Sequence, residues 1–123
     1  MSAFKDRVRA LTQRTLGKSL QTVVTSLRSY LLGWKAYFRL ASTPKVFAEL
    51  DGWIRHRLRM YRLRQYKRGT TAYRELRAHG ARHDTAIVVA RYLRRWWHNA
   101  ARQIHLVFTT SFFDQLGLPQ LAA

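Results

Sequence analysis

Three observations predict an all-α domain for this 123-residue chain. Only two prolines and six glycines punctuate it, apolar residues recur at helical spacing through its first half, and no alternating strand pattern competes there. Sixteen aromatic residues (four Trp, six Tyr, six Phe) and a 47% hydrophobic content are enough to build a core. Against that stands an extreme charge: 23 Lys+Arg and 6 Asp+Glu, a formal net of +17. Such an imbalance exceeds what solubility asks for and points to a polyanionic partner.

The first helix is expected from about Ala3 to Thr15, with Ser2 as N-cap and Gly17 as its end. Phe4, Val8 and Leu11 form its apolar face, and Lys5, Arg7, Arg9 and Arg14 the remainder. The second helix is the clearest. Ser19 is placed to cap it, and Leu20, Val23, Val24, Leu27, Leu31, Trp34 and Phe38 fall within a stripe of about 100°. Arg28, Lys35 and Arg39 lie on the flank of that stripe. Gly33, beside Ser26, Tyr30 and Tyr37, suggests that another element packs closely there.

Thr43 and Pro44 read as N-cap and N1 of a third helix, running to about Arg68. Phe47, Leu50, Ile54, Leu58 and Tyr61 are its apolar stripe. Thr71 to His79 reads as a short fourth helix closed by Gly80. Asp84 is the expected cap of a fifth, reaching about Trp97. Ile104 to Phe108 suits a strand or an apolar packing segment, and Ser111 the cap of a last short turn. Two regions follow: a helical bundle of three main helices over residues 1–80, and a short-helix C-terminal extension, residues 81–123, that packs on it or contacts nucleic acid.

Between Gly52 and Arg74 there is no acid, while Arg55, Arg57, Arg59, Arg62, Arg64, Lys67, Arg68 and Arg74 crowd the same window. A merely solvated helix mixes signs and uses i,i+4 ion pairs; this one repels itself unless a polyanion compensates. Arg55, Arg59 and Arg62 line one stripe that continues into Tyr66. Arg57 and Arg64 form another, across the apolar seam, next to Trp53 and Met60. Guanidinium groups suit bidentate phosphate contacts and stack on bases. Replacing Arg55, Arg59 and Arg62 with Ala is therefore expected to weaken binding of that polyanion with melting nearly unchanged. Arg91, Arg94, Arg95, His98 and Arg102, interleaved with Tyr92, Trp96 and Trp97, form a second basic cluster.

The search for catalytic groups finds none. The six acids are scattered, and Glu49 and Asp51 project about 200° apart on a helix, so they cannot share a Mg²⁺. His79 and His83 have the i,i+4 spacing of a zinc pair, but Gly80 intervenes and no third ligand is apparent. Cysteine is absent, which excludes disulfides and thiol chemistry, and no apolar run approaches a membrane span. No metal or cofactor is expected.

Leu32-Gly33-Trp34-Lys35-Ala36-Tyr37-Phe38-Arg39, then Phe47-Ala48-Glu49-Leu50-Asp51-Gly52-Trp53-Ile54-Arg55-His56-Arg57-Leu58-Arg59, then Gln65-Tyr66-Lys67-Arg68, resembles the maturase-specific domain of group II intron-encoded proteins. That domain, also called domain X, is the thumb of the intron reverse transcriptase. The terminal Phe113-Asp114-Gln115-Leu116-Gly117-Leu118 is similar to the end of such proteins. The resemblance implies a helical thumb that binds intron RNA, helps it fold for splicing and positions template–primer beside a polymerase palm. Carried over by position, it marks Arg55, Arg57, Arg59, Arg62, Lys67 and Arg68 as RNA contacts. Arg64, Arg28, Lys35 and Arg39 are added from the charge pattern. Tyr66 stands where the family more usually has Trp, an exchange that preserves stacking. Gly33, Trp34, Tyr37, Phe38, Leu50, Trp53 and Ile54 match its helix-packing residues.

These 123 residues are expected to hold neither the fingers and palm with their paired aspartates nor a Cys-bearing nuclease domain. The chain is expected to be a remnant, an excised domain or one half of a split protein, located in a bacterial cytosol or organelle matrix. The leading expectation is a non-catalytic module for group II intron RNA, with target DNA, template–primer or a separate reverse transcriptase subunit as further partners. Two alternatives stay open: an interaction fragment completing a split polymerase, docking through Trp97, Val107 and Phe108, and a non-specific basic nucleic-acid binder.

Overall fold

A computed structural model describes residues 2–13, 17–39, 44–66, 68–93 and 107–122 of the chain. Among them are six helices and no strand: α1 (Ser2–Leu11), α2 (Leu20–Arg39), α3 (Pro44–Gln65), α4 (Gly69–Ala78), α5 (His83–Arg91) and α6 (Thr110–Gln115). The all-α expectation holds. Helix α2 packs on both α1 and α3, and α4 pairs with α5.

The stripes read from the sequence are the core. Phe4 and Val8 of α1 meet Leu20, Val23, Val24, Leu27 and Leu31 of α2 and all five predicted positions of α3, every one buried. Burying each such side chain contributes about 1.5–3 kcal/mol, so this seam is the main stabilising term of the bundle. Trp34, further along the stripe, is half-buried, edge-on to Phe4 at 5.7 Å and to Tyr37 at 5.5 Å; the Phe38 side chain lies outside the described residues. Tyr37 is 65% exposed, so it is not the packing residue the motif suggested. Gly33 also differs from expectation: a Cβ there would meet nothing within 4 Å, so no element presses on that face among the described residues.

Several element ends shift for identifiable reasons. Ser19 does cap α2, its Oγ accepting from Thr22 N at 3.2 Å. Helix α1 stops at Leu11, where the Thr12 hydroxyl bonds back to Val8 O at 2.7 Å. Helix α4 starts two residues before Thr71, after Arg68, and ends on Gly80 at φ 93°. There Ala81 N reaches Leu76 O and Gly80 N reaches Arg77 O, a turn that needs the left-handed backbone glycine supplies. Helix α5 begins at His83, leaving Asp84 in its first turn rather than at its cap. Thr109, not Ser111, caps α6, because its hydroxyl reaches Phe112 N at 3.2 Å.

The junction between α1 and α2 is tied to α3 by side-chain hydrogen bonds. The Tyr61 hydroxyl accepts from Lys18 N at 3.0 Å and donates to Lys18 O, to which Gln65 Nε2 also donates at 2.8 Å. Tyr61 is otherwise sealed in the core. Tyr61→Phe is expected to lower stability by about 1–2 kcal/mol in denaturant titration, since the ring still packs but a buried pairing is lost. A loss below about 0.3 kcal/mol would mean that water replaces the hydroxyl.

The segment 107–122 lies along α2 and α3. Phe108 and Phe113 are buried, and so are Leu118 and Leu121. Gln21 Nε2 donates to Leu116 O at 3.2 Å, and Arg28 Nη1 to Gly117 O at 2.8 Å. Asp51, buried near the start of α3, accepts from Leu121 N at 2.8 Å and Ala122 N at 3.0 Å. Phe108 therefore serves the core and is not a surface for docking another protein. Trp97 and the basic cluster members Arg94, Arg95, His98 and Arg102 lie outside the described residues, as do Trp96 and residues 104–106.

Candidate nucleic-acid interface

Helix α3 projects its arginines to two sides of the buried seam. One side carries Asp51, Arg55, Arg59, Arg62 and then Tyr66, spaced so that each falls about one turn beyond the last. This is the side on which segment 107–122 lies. Arg59 is built into that contact: its Nε donates to Phe108 O at 2.8 Å, and its guanidinium lies 5.5 Å from the Phe113 ring. Burial, with Arg55 alongside, pushes the Arg59 guanidinium down to about 10. Arg59 thus has a structural duty that sequence alone did not reveal. The triple Ala variant of Arg55, Arg59 and Arg62 would remove these Arg59 contacts, so its melting is now expected to fall rather than stay nearly unchanged.

Arg62 sits over the Tyr66 ring at 5.4 Å and donates from Nη1 to Gln65 Oε1 at 3.1 Å. Tyr66 itself is only 5% exposed. Burial raises its hydroxyl above the usual range, with Arg62 pulling the other way. Its ring belongs to the core, which corrects the expectation that it stacks on bases. Between the two arginine sides, His56 is held below its ordinary value by burial and by Arg59 and Arg57.

The other side brings Arg57 together with helix α1. Arg57 Nε donates to the buried Thr12 hydroxyl at 2.8 Å, which fixes the guanidinium 5.8 Å from the Trp53 ring. From α1, Lys5 Nζ and the Arg9 guanidinium approach the same ring at 5.5 and 5.4 Å. Three cations from two helices thus converge on one half-buried indole. Arg9 is paired with Asp6 at 3.0 Å, and that acid is itself largely exposed. Lys5, Arg9 and Trp53 were not among the expected contacts. The signal was present: Lys5 and Arg9 are four apart on α1, as Trp53 and Arg57 are on α3, and each pair shares a helix face.

The remaining candidates scatter. Arg28 is spent on Gly117 O, and Lys35 is half-buried further along α2. Arg64 is half-buried on α3, and Arg68 is exposed at the N-cap of α4. The Arg39 side chain and Lys67 lie outside the described residues. His79 packs edge-on against Phe108 and Phe112, while His83 Nδ1 pairs with the Tyr73 hydroxyl at 2.7 Å, so the two histidines face different partners. Among the described residues, no group of three or more His, Asp or Glu could hold a metal ion, and no helix is long and apolar enough to cross a membrane.

The described residues form an all-α domain whose longest helix, α3, carries arginines on both sides of a buried apolar seam. The family described as "Group II intron, maturase-specific domain" matches residues 1–80, and the chain belongs to it. Membership ties the chain to a maturase-related role in group II intron splicing, through the part of such proteins that is not the catalytic one. A search of curated proteins found none that matches this chain.

Proposed function

We propose that this chain is a non-catalytic RNA-binding module that holds folded group II intron RNA and assists its folding and splicing. One observation carries the reading. Helix α3 has five arginines from Arg55 to Arg64 and no acid beyond Asp51, whose carboxylate is already occupied by the Leu121 and Ala122 amides. The run from Arg55 to Arg64 contains no acid, and closely packed phosphates complement such a density of positive charge. The contact residues are Arg55, Arg57, Arg62, Arg64, Lys67 and Arg68, joined by Lys5 and Arg9 of α1. Arg28, Lys35 and Arg39 extend the surface, and Arg59 contributes mainly by holding segment 107–122.

If about five to seven phosphates are neutralised, log affinity falls with log salt with a slope of about −4 to −6. A labelled group II intron RNA, challenged with unlabelled structured RNA and duplex DNA at near-physiological salt, measures both affinity and preference. Retained binding against both competitors supports recognition by the module itself. Equal displacement by every polyanion means that only charge is read, and a flat salt response rules out the electrostatic account.

A second reading has its own observation. Leu32 is 45% exposed and Tyr37 65%, both on α2. Such exposed apolar side chains suit a protein partner such as a separate reverse transcriptase subunit. Leu32→Ser/Tyr37→Ser that leaves RNA affinity unchanged but abolishes co-purification with such a subunit would favour it.

A further inference from the structure

Beside the Trp53 cluster a cavity of about 230 Å³ opens between α1 and the first turns of α3, lined by Lys5, Val46, Glu49, Leu50 and Trp53. Its chemistry is divided. Leu50 and the indole offer apolar walls, and Val46 in the lining is 43% exposed. Lys5 also lines it, and Arg9 and Arg57 reach the same indole from outside the lining. The Glu49 carboxylate lines it as well, exposed and with no hydrogen bond or ion pair to the described residues. Arg57 is held in place by Thr12, and Thr12 in turn by Val8 O. A uniformly basic groove would suit a phosphate backbone alone. An apolar cavity lined by a cation and a carboxylate, with further cations beside its indole, suits one whole nucleotide.

Resting on the RNA-binding reading above, we propose that this groove takes a single unpaired nucleotide of the RNA, with its phosphate on Lys5 and Arg57 and its base in the cavity. Glu49 then accepts from an amino group on the base edge, as carboxylates do from cytosine N4. Uracil has no such group and places carbonyl oxygens against the carboxylate instead. The groove therefore discriminates amino-bearing bases from uracil while remaining indifferent to double-stranded RNA, whose bases are stacked away.

Single-stranded 12-mers of C and of U, a duplex RNA and folded group II intron RNA are titrated against the full chain. The wild type is expected to bind oligo(C) about tenfold more tightly than oligo(U). Glu49→Gln, at an exposed position, should bring the two within about twofold. Val46→Trp, which fills the cavity from a surface position, should remove the oligo(C) advantage and leave the duplex affinity and the melting temperature in place. Equal binding of oligo(C) and oligo(U) by the wild type, or an undiminished preference in either variant, overturns the nucleotide site even while intron RNA still binds. Failure of the wild type to bind any of the four RNAs overturns the underlying RNA reading as well.

Discussion

Asp51→Ala is expected to lower the stability of this protein by about 2–4 kcal/mol and to loosen the segment that follows Phe108. The carboxylate is buried, yet both of its oxygens are used, Oδ1 by Leu121 N and Oδ2 by Ala122 N. Hydrogen bonds to an ionised acceptor contribute more than neutral ones, and removing the acceptor leaves a buried amide without a partner. Asp51→Asn keeps the shape but turns an NH₂ toward one of the two amides, so it should recover little. Denaturant titration gives the magnitude, and hydrogen exchange at Leu121 and Ala122 shows where the loss is felt. A stability change under about 1 kcal/mol, with those two amides as protected as before, would mean that apolar packing of Leu118 and Leu121 holds the segment unaided.

Arg59→Ala is the second large effect, about 2 kcal/mol or a fall in Tm of about 6–12 °C. Two terms oppose one another at this residue. Donation to Phe108 O and contact with the Phe113 ring stabilise the fold. The charge itself costs stability: with the guanidinium at about 10, the folded state holds its proton less tightly than the unfolded chain does, at every pH below that value. The pairing outweighs the charge, because truncation leaves a buried carbonyl without its donor and a gap beside Phe113. Arg59→Lys should not rescue, since an ammonium can neither lie flat on the ring nor reproduce the Nε geometry. Arg55→Ala is expected within about 0.5 kcal/mol of wild type, because it removes a repulsive neighbour along with its own solvation. Equal losses from Arg55→Ala and Arg59→Ala would mean that the two share one structural role.

The bundle was readable in the sequence because its signal is periodic. The stripe from Leu20 to Leu31 and the one from Phe47 to Tyr61 repeat often enough that only one helix face can be the buried one. The candidate interface was readable only in outline. Charge density placed it on α3, but a helical wheel cannot tell a solvated arginine from one pressed under a distant segment. Arg55 and Arg59 are equivalent by spacing, and what separates them is Phe108, 49 residues beyond Arg59. Tyr66 misled for the same reason: the rotation of its ring into the core depends on packing after α3 ends. The Trp53 cluster needed the rotation of α1 against α3, which neither helix encodes alone. Helix caps were readable only to within a residue or two, since Ser, Thr and Asp near a start compete for the same orphan amides.

The attachments of segment 107–122 also set an order of events during synthesis. Gln21 and Arg28 wait for partners 95 and 89 residues downstream, and Asp51 for partners 70 and 71 residues downstream. Until those residues leave the ribosome, α2 and α3 exist with a bare apolar flank and a carboxylate facing no amide. A chain interrupted before residue 107 leaves that flank exposed to proteases and chaperones. The contacts of segment 107–122 therefore make the stability of α2 and α3 depend on residues far downstream of them.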